Sequence, residues 1–287
     1  MKTLKIIKNK FYFFKLRFIR LIRNFFEKKA AEQWNNYPFG NKIKGRKKVY
    51  LDLAIKAKNI HYPEIEAFEQ NAGYQIDKNW LDELALHTQV VIKKSDICYA
   101  HGRILYSVLS NYISKNITLN NINIIETGTA RGFSALCMAK ALADNKKEGK
   151  IITFDVLPHD IKMFWNCIDD HNGPQSRKDL LSPWSKLVER YIVFHQGDTR
   201  IEMKKVKLQR THFAFLDGFH TYPDVIYEYS QIRGLQKRGD IIVFDDYTPQ
   251  QYPGLVKAVD EICSNDNYSK LIINSTNNRG YVIAEKK

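Results

Sequence analysis

Acidic residues stand at or just after the ends of successive apolar runs in the second half of the chain. In chain order they are Glu126, Asp155, Asp198, Asp217 and the adjacent pair Asp245 and Asp246. A carboxylate at such a position can cap a helix, which alone would explain Asp155 or Asp217. Five successive runs that end in carboxylates instead indicate a site for hydroxyl and amino donors or for a cation.

The first of these residues opens a turn with the sequence Glu126-Thr-Gly128-Thr-Ala-Arg-Gly132. Two glycines four residues apart let the backbone turn sharply, and a following helix offers unpaired N–H groups to a ligand. The dinucleotide fingerprint G-x-G-x-x-G is incomplete here, because its middle glycine is missing. The turn therefore indicates a nucleotide-type cofactor, with an ordinary strand-to-helix turn as the alternative.

Predicted strands alternate with predicted helices from residue 121 onward. We expect strands at 122–126, 150–155, 191–195, 213–217, 240–245, 270–274 and 281–285. We expect helices at 134–142, from 161, at 224–236 and at 255–263. This alternation is typical of a mainly parallel α/β sheet with helices on both faces, which binds ligands beyond the carboxyl ends of its strands.

The motifs at these strand ends resemble those of class I S-adenosylmethionine-dependent methyltransferases, over about residues 121–287. They are Glu126-Thr-Gly-Thr-Ala-Arg-Gly-Phe-Ser134, Ile151-Ile-Thr-Phe-Asp-Val-Leu-Pro158, Gln196-Gly-Asp198, Phe213-Ala-Phe-Leu-Asp-Gly-Phe-His220 and Gly239-Asp-Ile-Ile-Val-Phe-Asp-Asp246. Their order is similar to that of the metal-dependent O-methyltransferases, both the catechol type and the type that methylates sugar hydroxyls of macrolides. The resemblance implies a Rossmann-like, doubly wound, seven-stranded sheet with strand order 3-2-1-4-5-7-6.

The resemblance also implies S-adenosyl-L-methionine as cofactor and a set of residues that bind it. These residues are Glu126, Gly128, Thr129, Gly132, Ser134, Asp155, Asp198 and Asp217. The glycines would wrap the methionine end of the cofactor above Glu126. Asp155 would accept hydrogen bonds from both ribose hydroxyls, and Asp198 would bind the adenine amino group. Ser134 would donate to the cofactor carboxylate or simply start the helix.

For the acceptor, the resemblance implies a divalent cation held by Asp217, Asp245 and Asp246. Hard oxygen ligands suit Mg²⁺, with Mn²⁺ or Ca²⁺ as alternatives. The predicted catalytic residues are Asp217 and His220, because an imidazole three residues after Asp217 titrates near neutral pH and can act as a base. The alternatives are that His220 only orients Asp217 or Asp246, and that Asp246 faces solvent.

The charge of the chain is concentrated at its N-terminus. The net charge is +14, yet residues 1–48 hold fifteen Lys or Arg against two Glu, and the rest is close to neutral. Apolar residues between Leu4 and Phe26 recur at helical spacing, which predicts a basic amphipathic helix. Within residues 1–30 such a helix would lie on an anionic membrane or pack on its own domain or on a partner subunit, as in a homo-oligomer. A basic arm on a neutral domain argues against nucleic acid as a partner.

The predicted domains are a basic arm and linker at 1–48, a helical cap at 49–118 and a cofactor-binding domain at 119–287. The four cysteines are widely spaced, which favours reduced thiols in the cytoplasm over a disulfide scaffold or a structural zinc site. We find no signal peptide or membrane span in the pattern, so the predicted location is cytoplasmic, with the arm as a peripheral contact on the inner face of the membrane.

The predicted function is O-methylation of a hydroxyl on a saccharide or glycosylated small molecule, assisted by a divalent metal. The first alternative is an NAD-dependent oxidoreductase, which would share the fold but would not need paired aspartates after the fifth strand. The second is a membrane- or complex-anchored scaffold with a degenerate fold and no catalysis.

Overall fold

A computed structural model of the chain describes residues 37–275 and 279–287. Within it, Ile43–Lys287 form one compact unit. The α-helices of the described residues are α1 (Lys47–Lys58), α2 (Pro63–Ala72), α3 (Lys78–Thr88), α4 (His101–Lys115), α5 (Phe133–Asp144), α6 (Arg177–Leu180), α7 (Ser185–Tyr191), α8 (Thr199–Lys205), α9 (Tyr222–Ile232) and α10 (Pro253–Asn265). Four of them precede the first strand.

The strands form one seven-stranded sheet in the described part of the chain. They are β1 (Asn121–Thr127), β2 (Glu148–Asp155), β3 (Ile192–Gln196), β4 (Phe213–Leu216), β5 (Ile241–Phe244), β6 (Tyr268–Asn274) and β7 (Gly280–Lys286). Their order is β3-β2-β1-β4-β5-β7-β6, and β7 pairs antiparallel with both β5 and β6 while the other pairs are parallel. The predicted fold class and strand order are confirmed.

Side chains alternate between two apolar layers, because successive residues of a strand point to opposite faces of the sheet. In β4, Phe213 and Phe215 pack with α4, α5 and the helices before them. Ala214 and Leu216 pack in the other layer, with α9 and α10. The helical segment before β1 thus contributes to the same core as the sheet, and the predicted boundary between residues 118 and 119 stays a prediction.

One predicted helix is wrong. The chain from residue 161 does not continue as a crossover helix; Met163 instead forms an isolated bridge with Gln175, and a 3-10 turn follows at Ile168–Asn172. Asp170 accepts a hydrogen bond from the Trp165 N–H at 2.7 Å, and this side-chain bond ties the segment into a loop. The segment ends in the short helix α6.

The N-terminal predictions are tested only in part. The amphipathic helix between Leu4 and Phe26 lies outside the described residues, so it and its membrane contact stay predictions. The predicted linker ends sooner than expected, since α1 already begins at Lys47. Among residues 37–275 and 279–287, no helix is long and apolar enough to cross a membrane. All four cysteines are free and buried.

Candidate active site

The glycine turn lies between the carboxyl end of β1 and the start of α5. Gly128 and Gly132 both adopt positive φ, 84° and 90°, which favours glycine over residues with a side chain. A Cβ added to Gly128 would collide with the carbonyl oxygen of Asp217. The turn and the loop after β4 are therefore in direct backbone contact, and glycine is required for it.

Below the turn, a chain of hydroxyls leads to a buried carboxylate. The Thr129 and Thr153 hydroxyls are hydrogen-bonded to each other, and Thr153 donates to Oε2 of Glu126. Burial raises the pKa of Glu126 to about 7, against the hydrogen bonds from Ser134 and Thr153. The other oxygen, Oε1, is also buried. A carboxylate under a glycine turn suits a ligand that brings its own donor, such as an ammonium group.

Asp155 lies at the end of β2 and holds the turn from the side. Its Oδ2 accepts the Ala130 N–H at 2.6 Å and its Oδ1 accepts the Leu157 N–H at 2.7 Å. A carboxylate offers about four lone-pair sites, so two are left for the predicted ribose hydroxyls. Burial raises the pKa of Asp155, while the guanidinium of Arg177 at 4.0 Å and the two N–H donors act in the opposite direction.

Arg177, in α6, covers the glycine turn on the side of Asp155. This residue was not predicted from the sequence. The side chain is only 2% exposed, and it donates to the carbonyl oxygens of Ala130 at 2.8 Å and Leu157 at 3.2 Å. Nearby, Leu181 packs on the turn so closely that a Cβ on Gly132 would lie 2.8 Å from Leu181 Cδ1. Residues of α6 and Leu181, which follows it, therefore cover the turn.

Two predicted cofactor residues occupy positions that also have a local structural explanation. Asp198 is the N-cap of α8 and accepts the Arg200 N–H at 2.8 Å. Ser134 is the second residue of α5 and is buried. Their roles toward the cofactor stay predictions.

Asp217, His220 and Asp246 come together at the carboxyl ends of β4 and β5. Nε2 of His220 lies 3.4 Å from Oδ1 of Asp217 and 3.1 Å from Oδ2 of Asp246. The His220 ring stacks on Tyr252, with 4.5 Å between the ring centroids. Asp246 adopts a positive φ of 53°, an uncommon conformation that holds its carboxylate toward the cluster.

Arg279 neutralises the other side of this cluster. It stands just before β7 and forms a two-point ion pair with Asp245, whose Oδ1 it contacts through Nε at 3.1 Å. The same Nε lies 2.8 Å from Oδ1 of Asp246. Asp245 is fully buried and also accepts the Asp246 N–H at 2.7 Å. The oxygens of Asp245 thus bind Arg279 and a backbone N–H. Whether Asp245 also binds a metal stays a prediction.

The chemistry of the remaining donor set fits a divalent cation. One ligand atom each from Asp217, His220 and Asp246 lies within 4.8 Å of the other two. Nε2 of His220 is buried between the carboxylates of Asp217 and Asp246. A cation would take the place that the imidazole proton holds between these carboxylates. Without a cation, burial lowers the pKa of His220, but the two carboxylates outweigh burial and raise it to about 10.

His101 is a second site residue that we did not predict. It begins α4, is 5% exposed, and lies with its ring centroid 4.8 Å from that of Phe133 and 6.2 Å from that of Phe215. Nδ1 of His101 has no hydrogen-bond partner among the described residues, and burial lowers its pKa well below the usual value. The imidazole is therefore neutral between the turn and β4. The sequence shows that His101 lies in an apolar helix, but no motif marks it as a site residue.

Glu228, on α9, is a buried carboxyl group near the cluster, and the pKa of this group can be tested. It accepts the Thr127 hydroxyl at 2.8 Å, while its other oxygen is buried without a partner. Burial raises its pKa to about 7, from an unfolded value near 4.5. Because the folded pKa is raised, the native state loses stability as the pH rises from 4.5 through 7.

We therefore expect Glu228→Gln to increase the free energy of unfolding by about 3 kcal/mol at pH 8 and by much less at pH 5. Urea denaturation at the two pH values measures this difference. The control is Glu83→Gln on the exposed face of α3, which should change neither value. An equal gain for Glu228→Gln at both pH values would contradict the titration argument.

The part of the chain that contains this site is similar to known proteins. Residues 125–247 match a family described as a methyltransferase domain. No curated protein matches the chain. The matched region runs from β1 to the residue after Asp246, so it spans the glycine turn and both acidic strand ends.

Among solved structures, the O-methyltransferase TomG from Streptomyces achromogenes, in complex with S-adenosylmethionine, has a TM-score of 0.51 and 14% identity over 74% of this chain and 92% of its own. The O-methyltransferase NovP has a TM-score of 0.48 and 14% identity over 64% of this chain and 79% of its own. The likeness to TomG supports the fold. Residues 125–247 thus match a methyltransferase-domain family, and the strand order agrees with that match.

Proposed function

We propose that the protein is an S-adenosylmethionine-dependent O-methyltransferase that acts on a hydroxyl of a saccharide or glycosylated small molecule. The observation that carries the proposal is the backbone contact between Gly128 and Asp217. A methyl donor bound at the turn and an acceptor oxygen bound at the acidic cluster would both lie beside this backbone contact. Methyl transfer requires the donor and acceptor sites to be neighbours, because the reacting atoms must approach to about 3–3.5 Å in line.

The acidic cluster suits an oxygen acceptor. In the reaction, the methyl group leaves the sulfonium sulfur and bonds to the hydroxyl oxygen, and the hydroxyl proton passes to a base. Burial and the neighbouring Asp245 raise the pKa of Asp217 well above its usual value, which makes its carboxylate a better proton acceptor. His220 holds its proton at neutral pH while the carboxylates of Asp217 and Asp246 are charged. It can therefore accept a further proton from a hydroxyl only after the charge of these carboxylates is neutralised and it has lost its own.

Asp217, His220 and Asp246 would hold the divalent cation. When bound, the cation would make a hydroxyl more acidic and fix its orientation. Arg279 keeps Asp245 paired in either case, so the buried charge of that carboxylate is compensated whether or not the cluster binds a cation. Mg²⁺, Mn²⁺ and Ca²⁺ all accept carboxylate oxygens, and the imidazole favours Mn²⁺ among them.

Titration with two cofactors tests the donor half of the proposal. We expect isothermal titration calorimetry to show binding of S-adenosylhomocysteine and no binding of NAD, because the turn lacks the middle glycine of the dinucleotide fingerprint. Binding of NAD alone would contradict the proposal and favour an oxidoreductase.

Transfer of a labelled methyl group tests the acceptor half. Labelled S-adenosylmethionine is incubated with glycosylated small molecules and free sugars, with and without EDTA. We expect label on a hydroxyl of a glycosylated compound, and loss of that label in EDTA. Full transfer in EDTA would remove the cation from the proposal while leaving O-methylation intact.

A further inference from the structure

A cavity of about 670 Å³ lies in the helical layer before β1, apart from the acidic cluster. Its walls come from the end of α1, from α2 and α3, and from the start of α4. Its volume is within the range of about 300–1,000 Å³ that is usual for small-molecule sites. None of the roles described above involves it.

The charges that line the cavity are balanced. The basic residues are Lys58, Lys78 and Arg103, and the acidic residues are Glu66, Glu69 and Asp82. Arg103 binds Glu69 at two points, Nε to Oε1 at 2.9 Å and Nη2 to Oε2 at 2.5 Å, and Glu69 is only 2% exposed. Because this charge is paired inside the wall, the cavity has no excess charge to attract a phosphate or a cationic ligand.

The polar groups of the cavity suit hydroxyls. Asn59, Gln70 and Gln75 are exposed amides in its wall, and each offers donors and an acceptor side by side. The two bonds to Glu69 use two of the five N–H donors of Arg103. Neighbouring hydroxyl groups on a ring need this combination of adjacent donors and acceptors.

Aromatic and apolar side chains form the rest of the wall. Tyr62 and Tyr99 line the cavity with largely buried rings, and Leu81 and Ala100 line it as part of the same apolar core. The Tyr99 ring is fixed, because its hydroxyl donates to Asp82 at 2.7 Å. The exposed part of such a fixed ring can contact C–H groups of a sugar while the amides bind its hydroxyls.

Buried side chains separate the cavity from the candidate active site. The centroid of the Tyr99 ring lies 6.2 Å from that of Phe133, the residue that follows Gly132. On the side of the acidic cluster, Cys98 contacts the Tyr281 hydroxyl at 3.7 Å, and Arg279 lies over the Tyr281 ring. These buried side chains close the cavity off from the reaction site, so the cavity is a separate site.

We propose that this cavity binds a neutral sugar unit of a glycosylated ligand. The inference rests on the proposed function for the chemical class of that ligand. It predicts that neutral oligosaccharides bind better than sugar phosphates.

A glycan array probed with the full chain, in the absence of any cofactor, tests the cavity directly. The array carries neutral and anionic oligosaccharides. We expect binding to neutral oligosaccharides, and we expect the double variant Asn59→Ala/Gln70→Ala to bind them about tenfold more weakly through loss of two hydrogen bonds. Both amides are exposed, so the variant should fold. The matched control is Asn71→Ala, which removes an exposed amide next to Gln70 but outside the cavity wall.

Three results would overturn the inference: no binding to neutral oligosaccharides, binding to anionic ones alone, or equal binding by the double variant. A chain that binds S-adenosylhomocysteine but no glycan contradicts the sugar site and leaves the methyltransferase domain in place. Glycan binding that the double variant weakens supports the cavity even where no methyl transfer is found, and then the proposed function alone fails.

Discussion

Asp155→Asn is expected to weaken the binding of S-adenosylhomocysteine about 100-fold. The carboxylate has two lone-pair sites left after it accepts the N–H groups of Ala130 and Leu157, and each ribose hydroxyl would occupy one. Two charge-assisted hydrogen bonds, at about 1.5 kcal/mol or more each, give a loss of this size. An asparagine also turns an NH₂ group toward one of the backbone donors. Isothermal titration calorimetry measures the change.

Asp160→Asn is the matched control for this experiment. Asp160 is an exposed carboxylate on the same loop, so its substitution removes the same charge without touching the turn. We expect its affinity for S-adenosylhomocysteine to equal that of the unaltered protein. Equal weakening by both variants would mean that only net charge matters, and unchanged affinity in Asp155→Asn would place the ribose elsewhere.

The second large effect concerns the cation. Asp217→Asn and Asp246→Asn are each expected to weaken Mn²⁺ binding at least about 100-fold, since losing even an outer partner of a metal site costs 10–100-fold. Electron paramagnetic resonance of free Mn²⁺ in the presence of each variant measures the affinity without any acceptor. Binding of S-adenosylhomocysteine should persist in Asp246→Asn, because the turn above Glu126 and the loop after β4 are unchanged.

Asp52→Asn, an exposed carboxylate on α1, is the control for the cation experiment and should bind Mn²⁺ normally. Asp245→Asn tests the ligand role that the sequence predicts. If Asp245 binds the cation, its substitution weakens Mn²⁺ binding as strongly as Asp246→Asn does. If it serves to pair with Arg279, the effect is smaller and stability falls instead. Unchanged Mn²⁺ affinity in Asp217→Asn and Asp246→Asn would exclude the cluster as a metal site.

The sheet could be predicted from the sequence because its strands are short apolar runs with clear ends. The carboxyl ends of parallel strands meet at one edge, so placing Asp217 near Asp246 required only the strand order. Arg279 could not be found in this way, since it stands before an antiparallel strand and reaches the edge from the opposite direction. No local pattern marks a residue whose partner, Asp245, is 34 positions away.

The segment after β2 could not be predicted for a different reason. Its apolar residues suggested a helix, but Asp170 binds the Trp165 backbone and Arg177 binds two carbonyl oxygens, and such side-chain bonds depend on tertiary contacts. His101 was missed because a histidine in an apolar helix looks like any other core residue. In each case the missing information was which distant element the side chain would contact.

The position of Arg279 also has a consequence for how the chain folds. β4 and β5 bring Asp217, Asp245 and Asp246 together, and His220 lies between Asp217 and Asp246. The countercharge of the buried Asp245 is Arg279, which is in place only when β7 has paired with β5. During synthesis on the ribosome, β7 emerges after every other strand of the sheet. Until then, burial of Asp245 is uncompensated, which disfavours closure of this edge before the last strand is made.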